Sequence, residues 1–101
     1  KMIVKIHTNS EGKKILAICD DELLGKIYEE GTKQLDLSSS FYQGIHMEEP
    51  ELIQHIKDAY ILNVVGKNSI QFLQENKIID EDGPITIQGI PHIQVVLESQ
   101  S

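Results

Sequence analysis

The sequence predicts an α+β domain, a two-layer sandwich in which helices cover one face of a mainly antiparallel sheet, in the order ββαβααββ. Three observations carry that expectation. Apolar and polar residues alternate around turn-rich stretches at both ends of the chain, the mark of two hairpins. Between them, apolar residues recur at helical spacing in three places. Length is the third, because 101 residues suit one compact unit, so residues 1–101 are read as a single domain. Lys1 stands before Met2, a natural initiator, and is set aside from functional argument.

The first twenty residues read as the opening hairpin, with two short apolar runs flanking Thr8-Asn9-Ser10-Glu11-Gly12. Placing Met2 opposite Cys19, Val4 opposite Ala17 and Ile6 opposite Ile15 makes one face wholly apolar. Asp20 is then the expected N-cap of a short helix running to Glu30, with Asp21 and Glu22 in the first turn, where the helix dipole favours negative charge. Leu23, Leu24, Ile27 and Tyr28 share its inward face, and Gly31 ends it. Thr32 to Leu37 reads as a strand, and the following loop carries Phe41 and Tyr42. Pro50 suits the start of a second helix, with Leu52, Ile53, Ile56, Ala59 and Tyr60 at helical spacing. Ile61 to Val65 is apolar and fits either state, whereas Gly66 to Asn76 predicts a third helix with Ile70 and Leu73 inward. Ile85 to Gln88 and His92 to Leu97 form the closing hairpin around Gly89-Ile90-Pro91. Pairing Ile87 with Ile93 and Ile85 with Val95 puts Thr86, Gln88, His92 and Gln94 on the opposite face.

Composition removes several function classes. Nine lysines, no arginine and sixteen acids leave a net charge of −7, which excludes an arginine-dependent phosphate reader and a broadly basic surface. The charge is uneven: residues 1–14 carry four lysines against one glutamate, for +3, leaving −10 for the rest. Lysines on that hairpin serve either a small RNA contact or protection against edge-to-edge pairing. The single cysteine, Cys19, forbids an intramolecular disulfide, and with no Asn-x-Ser/Thr sequon the expected setting is the cytoplasm. No apolar run approaches the roughly 20 residues of a membrane span, so no membrane partner is expected.

The segments Lys5-Ile6-His7, Cys19-Asp20-Asp21-Glu22-Leu23-Leu24-Gly25-Lys26, Glu30-Gly31, Phe41-Tyr42, Asn63-Val64-Val65-Gly66 and Gly89-Ile90-Pro91-His92-Ile93-Gln94-Val95-Val96 resemble the archaeal domain-of-unknown-function 424 family. The resemblance spans nearly the whole chain. It implies an archaeal cytoplasmic protein with a two-layer α+β fold, and it supplies no activity. It also directs attention to Asp20, Gly25, Lys26, Asn63, Gly66, Pro91, His92 and Gln94.

Each candidate for chemistry has a plainer reading beside it. Cys19 stands before an expected helix start, where a thiolate is stabilised, yet it also fits a small buried core residue. His92 shares its expected face with Gln88, Gln94 and Thr86, which makes either a polar recognition patch or an ordinary solvated sheet face. Gly66-Lys67-Asn68-Ser69 is not a Walker loop, because Ile61 and Asn68 occupy positions that need glycine and a hydroxyl residue. It still offers helix N–H groups to an anion with Lys67 alongside, unless Gly66 is there for close packing. Lys26 can offset Glu22 and Glu30 at four-residue spacing. No His/Cys/carboxylate spacing indicates a metal site, and no cofactor is expected.

The function expected from these residues is a non-enzymatic binding or adaptor domain. Its candidate binding residues are His92, Gln94, Gln88, Asn63, Lys67, Lys26 and Asp20. The expected partner is a macromolecule, protein or RNA, with translation or RNA machinery first in order. The domain itself is expected to be a monomer or, through an exposed sheet edge, a weak dimer. The competing expectation is a small enzyme with His92 as general base and an anion held near Gly66 and Lys67.

Overall fold

The computed structural model describes residues 2–97. The opening hairpin pairs β1 (Met2–Thr8) with β2 (Lys14–Asp20). Its register is one residue away from the expected one: Met2 faces Asp20, Val4 faces Ile18 and Ile6 faces Leu16. Turn chemistry sets this offset. The Asn9 carbonyl accepts from Gly12 N–H at 2.9 Å, Asn9 N–H donates to the Lys13 carbonyl at 2.9 Å, and Gly12 adopts φ +81°, the pattern of a three-residue hairpin loop. The Asn9 side-chain oxygen also accepts from the Glu11 and Lys13 amides, both at 2.9 Å. A one-residue shift exchanges faces, so Leu16 and Ile18 join Met2 and Val4 while Cys19 and Ala17 join Ile3 and Lys5.

The helix expected from Asp20 to Glu30 is absent. A single 3-10 turn (Asp21–Leu23) leads into β3 (Ile27–Glu30), which pairs with β4 (Lys33–Asp36) as a separate two-stranded sheet. Gly25 at φ +89° breaks the helical path, and Gly31 at φ +63° is the first residue of a two-residue hairpin turn rather than a helix stop. A second 3-10 turn (Ser40–Tyr42) precedes β5 (Ile45–Met47), a strand too short to show a period in the sequence. A Cβ at Gly44 would overlap the Val4 carbonyl, so glycine lets this connection close against β1.

Helix α1 (Glu49–Lys57) ends at Asp58, before the expected Tyr60. The ambiguous apolar stretch is β6 (Ala59–Val65), which runs parallel to β2. Helix α2 (Lys67–Glu75) matches the third expected helix. The closing hairpin joins β7 (Ile85–Ile87) to β8 (Ile90–Val96) through Gln88 at φ 52° and Gly89 at φ 78°, two left-handed residues as in a type I′ turn. Ile85 therefore faces His92 and Ile87 faces Ile90, which takes Thr86 off the face that carries His92.

The main sheet has the order β5-β1-β2-β6-β8-β7. Thus the expected order ββαβααββ is replaced by one with five strands before α1 and six of the eight strands in one sheet. Both helices pack on one face, where Leu52, Ile56, Ile70 and Leu73 meet Val4, Leu16, Ile18, Leu62 and Val64. The other face is partly covered too: Leu23, Leu35, Leu37 and Ile87 pack on Cys19 and Val65. Two-sided burial explains why β2 and β6 read as nearly continuous apolar runs.

Candidate functional site

Asp20 is the last residue of β2 and is only 1% exposed. Its Oδ1 accepts from Ser69 N–H at 2.8 Å and from Ser69 Oγ–H at 2.6 Å, and its Oδ2 accepts from Asn68 N–H at 3.0 Å. It caps α2, not the segment that follows it in sequence. Gly66, the N-cap residue of α2, has φ +112°, and a Cβ there would overlap the Asp20 carboxylate. A glycine is required at that point so that the carboxylate can replace the missing capping side chain. Gly66 N–H in turn donates to the Pro91 carbonyl at 2.9 Å, which ties the ends of β2 and β6 to the start of β8. Because Asp20 takes the Asn68 and Ser69 amides, the helix start serves an internal carboxylate, whose charge opposes a second anion beside exposed Lys67.

Cys19 lies beside this lock and is fully buried. Burial, with the charges of Asp20, Glu22 and Asp21 behind it, pushes the thiol up to about 12, so it remains a protonated core thiol. Tyr42, packed against the same cluster, is likewise pushed up to about 12 by burial and then by Cys19.

On this face the cover of Leu23, Leu35, Leu37 and Ile87 lies over Cys19 and Val65, and the row nearer the first turn holds half-buried and exposed residues around a fully buried Ala17. Cross-strand register aligns Lys5, Ala17, Asn63 and Gln94 over β1, β2, β6 and β8, and the next row brings His92 beside Val65. Asn63 is half-buried and Gln94 exposed. Among the described residues, no group hydrogen-bonds to the Asn63 or Gln94 carboxamide or pairs with the Lys5 ammonium. His92 Nδ1 is buried and without a hydrogen-bond partner among them. At the border of this surface the His7 ring stacks on Phe41 with centroids 4.4 Å apart, and its Nε2 lies 3.0 Å from the Phe41 carbonyl. Phe41 meets Tyr42 edge-on at 5.1 Å. That grouping was not legible from spacing, since 34 residues separate His7 from Phe41.

The seven sequence candidates therefore divide. Asn63, Gln94 and His92 share one sheet face, while Asp20 and Lys67 stand at the start of α2. Gln88 is elsewhere, in the β7–β8 turn, where its N–H donates to the Glu30 carboxylate at 2.6 Å and its side-chain amide donates to the Glu29 carbonyl. Lys26 is exposed in the link before β3, and its backbone carbonyl accepts from Leu37 N–H at 2.8 Å. Among the described residues no group of three or more His, Cys, Asp or Glu could hold a metal ion. No helix among them is long and apolar enough to cross a membrane.

The crystal structure of an uncharacterized conserved protein from Methanopyrus kandleri is similar to this fold, with a TM-score of 0.80 at 24% identity over 99% of this chain and 95% of that one. Comparison with curated proteins finds no match. The family model described as a protein of unknown function, DUF424, matches residues 7–97, a span that takes in the aromatic stack, the Asp20–Gly66 lock and the whole of β8, and the chain belongs to that family.

Proposed function

We propose that this domain is a non-enzymatic binding module that engages a macromolecular partner through the open sheet face around Asn63, Gln94 and His92. One observation carries the reading: the Asn63 carboxamide sits half-buried in a central strand, with no hydrogen-bond partner among the described residues. Such a strand position favours a β-branched or aromatic residue, and a half-buried amide without a protein partner keeps a donor and an acceptor for an incoming group. Gln94 adjoins it on β8 and Lys5 lies beyond Ala17 on β1, and half-buried Ile15 and Ile61 with 58%-exposed Val96 form an apolar border. An apolar patch with a few polar groups is the make-up of a recognition surface.

The neighbour from Methanopyrus kandleri supports an archaeal setting. Translation or RNA machinery in the cytoplasm is the partner class proposed, on family-level analogy. The enzymatic alternative finds less support, because the helix start it needs for an anion is already filled by Asp20.

Affinity capture from native cytosol, with bound protein and RNA both identified, tests the proposal. Wild type retains a partner that the Asn63→Ala/Gln94→Ala double variant loses, with affinity about tenfold or more weaker, as for a truncated interface centre. Identical capture by both proteins, with unchanged circular dichroism, refutes it.

A further inference from the structure

We propose that the cleft beneath the first hairpin binds a phosphate-bearing nucleotide unit, with lysines on the phosphate and the Tyr60 ring against the base. The cleft has a volume of about 320 Å³ and is lined by Gly12, Lys13, Lys14, Lys57, Asp58, Ala59 and Tyr60. It lies where the starts of β2 and β6 meet the end of α1. It uses none of the sheet-face residues of the preceding proposal and goes beyond that reading.

Charge is the first argument. The chain is acidic overall, yet three of its nine lysines converge on this one cleft. Lysine acts as a compact point charge on phosphate and needs no guanidinium fork, which fits a chain without arginine. The two carboxylates in contact are held loosely: Glu11 lies 3.9 Å from Lys13 and Asp58 lies 3.9 Å from Lys14, with every side chain at least 41% exposed. Exposed pairs of that kind are worth little and exchange readily for a phosphate. Lys57 is exposed and makes no ion pair among the described residues.

Tyr60 supplies an independent argument. Lys14 faces Ala59, but Ile15 faces Ile61, so Tyr60 is the extra residue of a bulge in the parallel β2–β6 pairing. Bulges are rare in parallel pairs and re-aim a side chain at the cost of ladder regularity. Here the result is a half-buried ring in the cleft wall, with Lys13 Nζ over its face, 4.2 Å from the centroid, a cation–π contact that a base replaces as Lys13 turns to the phosphate. A ring face beside converging ammonium groups matches a base joined to its phosphate, and the cleft is at the small end of ligand-site volumes, about one nucleotide in size. That unit occurs as a free nucleotide and as a link of single-stranded RNA.

Fluorescence anisotropy with fluorescein-labelled decauridylate, and isothermal titration with ATP, distinguish the two sources. Wild type is expected to bind at least one probe at low salt. For the strand, the log–log salt slope is about −0.7, the value for the one phosphate that the cleft neutralises. The Lys13→Ala/Lys14→Ala/Lys57→Ala variant, whose substitutions are at the surface, loses tenfold or more in affinity and most of that slope. Tyr60→Leu weakens binding but keeps the slope, and Lys33→Ala, at an exposed lysine outside the cleft, leaves both unchanged. Failure of wild type to bind either probe, or wild-type affinity in the triple-lysine variant, overturns the proposal. Unchanged affinity in Tyr60→Leu removes the ring from the site.

Discussion

Replacing Asp20 by alanine tests the lock that joins β2 to α2. The substitution removes one acceptor from each of three donors: Asn68 N–H, Ser69 N–H and Ser69 Oγ–H. Loss of a capping side chain costs about 1 kcal/mol, and each buried donor left without an acceptor adds about 1–3 kcal/mol. Asn68 is exposed, so water can reach its amide, whereas Ser69 is fully buried and its amide stays unsatisfied. The expected loss is about 3 kcal/mol, a large part of the roughly 5–15 kcal/mol that holds such a domain folded. In urea denaturation followed by circular dichroism, the midpoint should fall by about 2 M, and in heating Tm should fall by about 10–25 °C. Ser69→Ala removes only the hydroxyl and should cost about 1 kcal/mol, with the double variant less than additive because both changes break the same bond. A loss below about 1 kcal/mol for Asp20→Ala would refute the reasoning, since α2 would then be capped as well by solvent as by the strand.

Two further outcomes follow from the pKa directions. Cys19, raised to about 12 by burial and by the neighbouring acids, should resist alkylation at pH 8 in the native protein and react only as fast as the protein opens. Stoichiometric labelling within the mixing time, without denaturant, would contradict this. Hydrogen bonds from the Ser38 hydroxyl and amide hold the Asp36 carboxyl below its ordinary 3.8. A carboxylate depressed in the folded state stabilises above its unfolded pKa and loses that contribution as pH falls through the folded value. A nuclear magnetic resonance titration should therefore find Asp36 below 3.8 in wild type and higher in Ser38→Ala, and identical values would show that the hydroxyl contributes nothing.

Local rules read from the sequence reached the elements whose cause is local. Pro50 and the apolar spacing of Leu52 and Ile56 mark α1, Ile70 and Leu73 mark α2, and the segments around Gly12 and Gly89 mark two hairpins. The helix expected after Asp20 is an instructive miss. Asp21 and Glu22 do satisfy the rules for a first helical turn, and one 3-10 turn does form, but Gly25 and Gly31 turn the chain into a hairpin whose Leu35 reaches the core beside Cys19. Asn63, Gln94 and His92 were identifiable one by one, while their alignment depended on an antiparallel β6–β8 register that no single segment specifies.

The sequence by itself determined the class of domain, the absence of an arginine-based site, the family resemblance and the residues able to turn, cap and pack. Tertiary structure decided which face each strand presents, because a sheet buried on both sides accepts apolar residues on either, and turn geometry then selects the register. It also decided partners across sequence distance. Asp20 caps a helix 49 residues away from it, and Tyr60 enters the lysine cleft only because β6 carries a bulge against β2. A hydrogen-bonding group is visible in sequence, but the atom that satisfies it is known only when the chain has brought the two together.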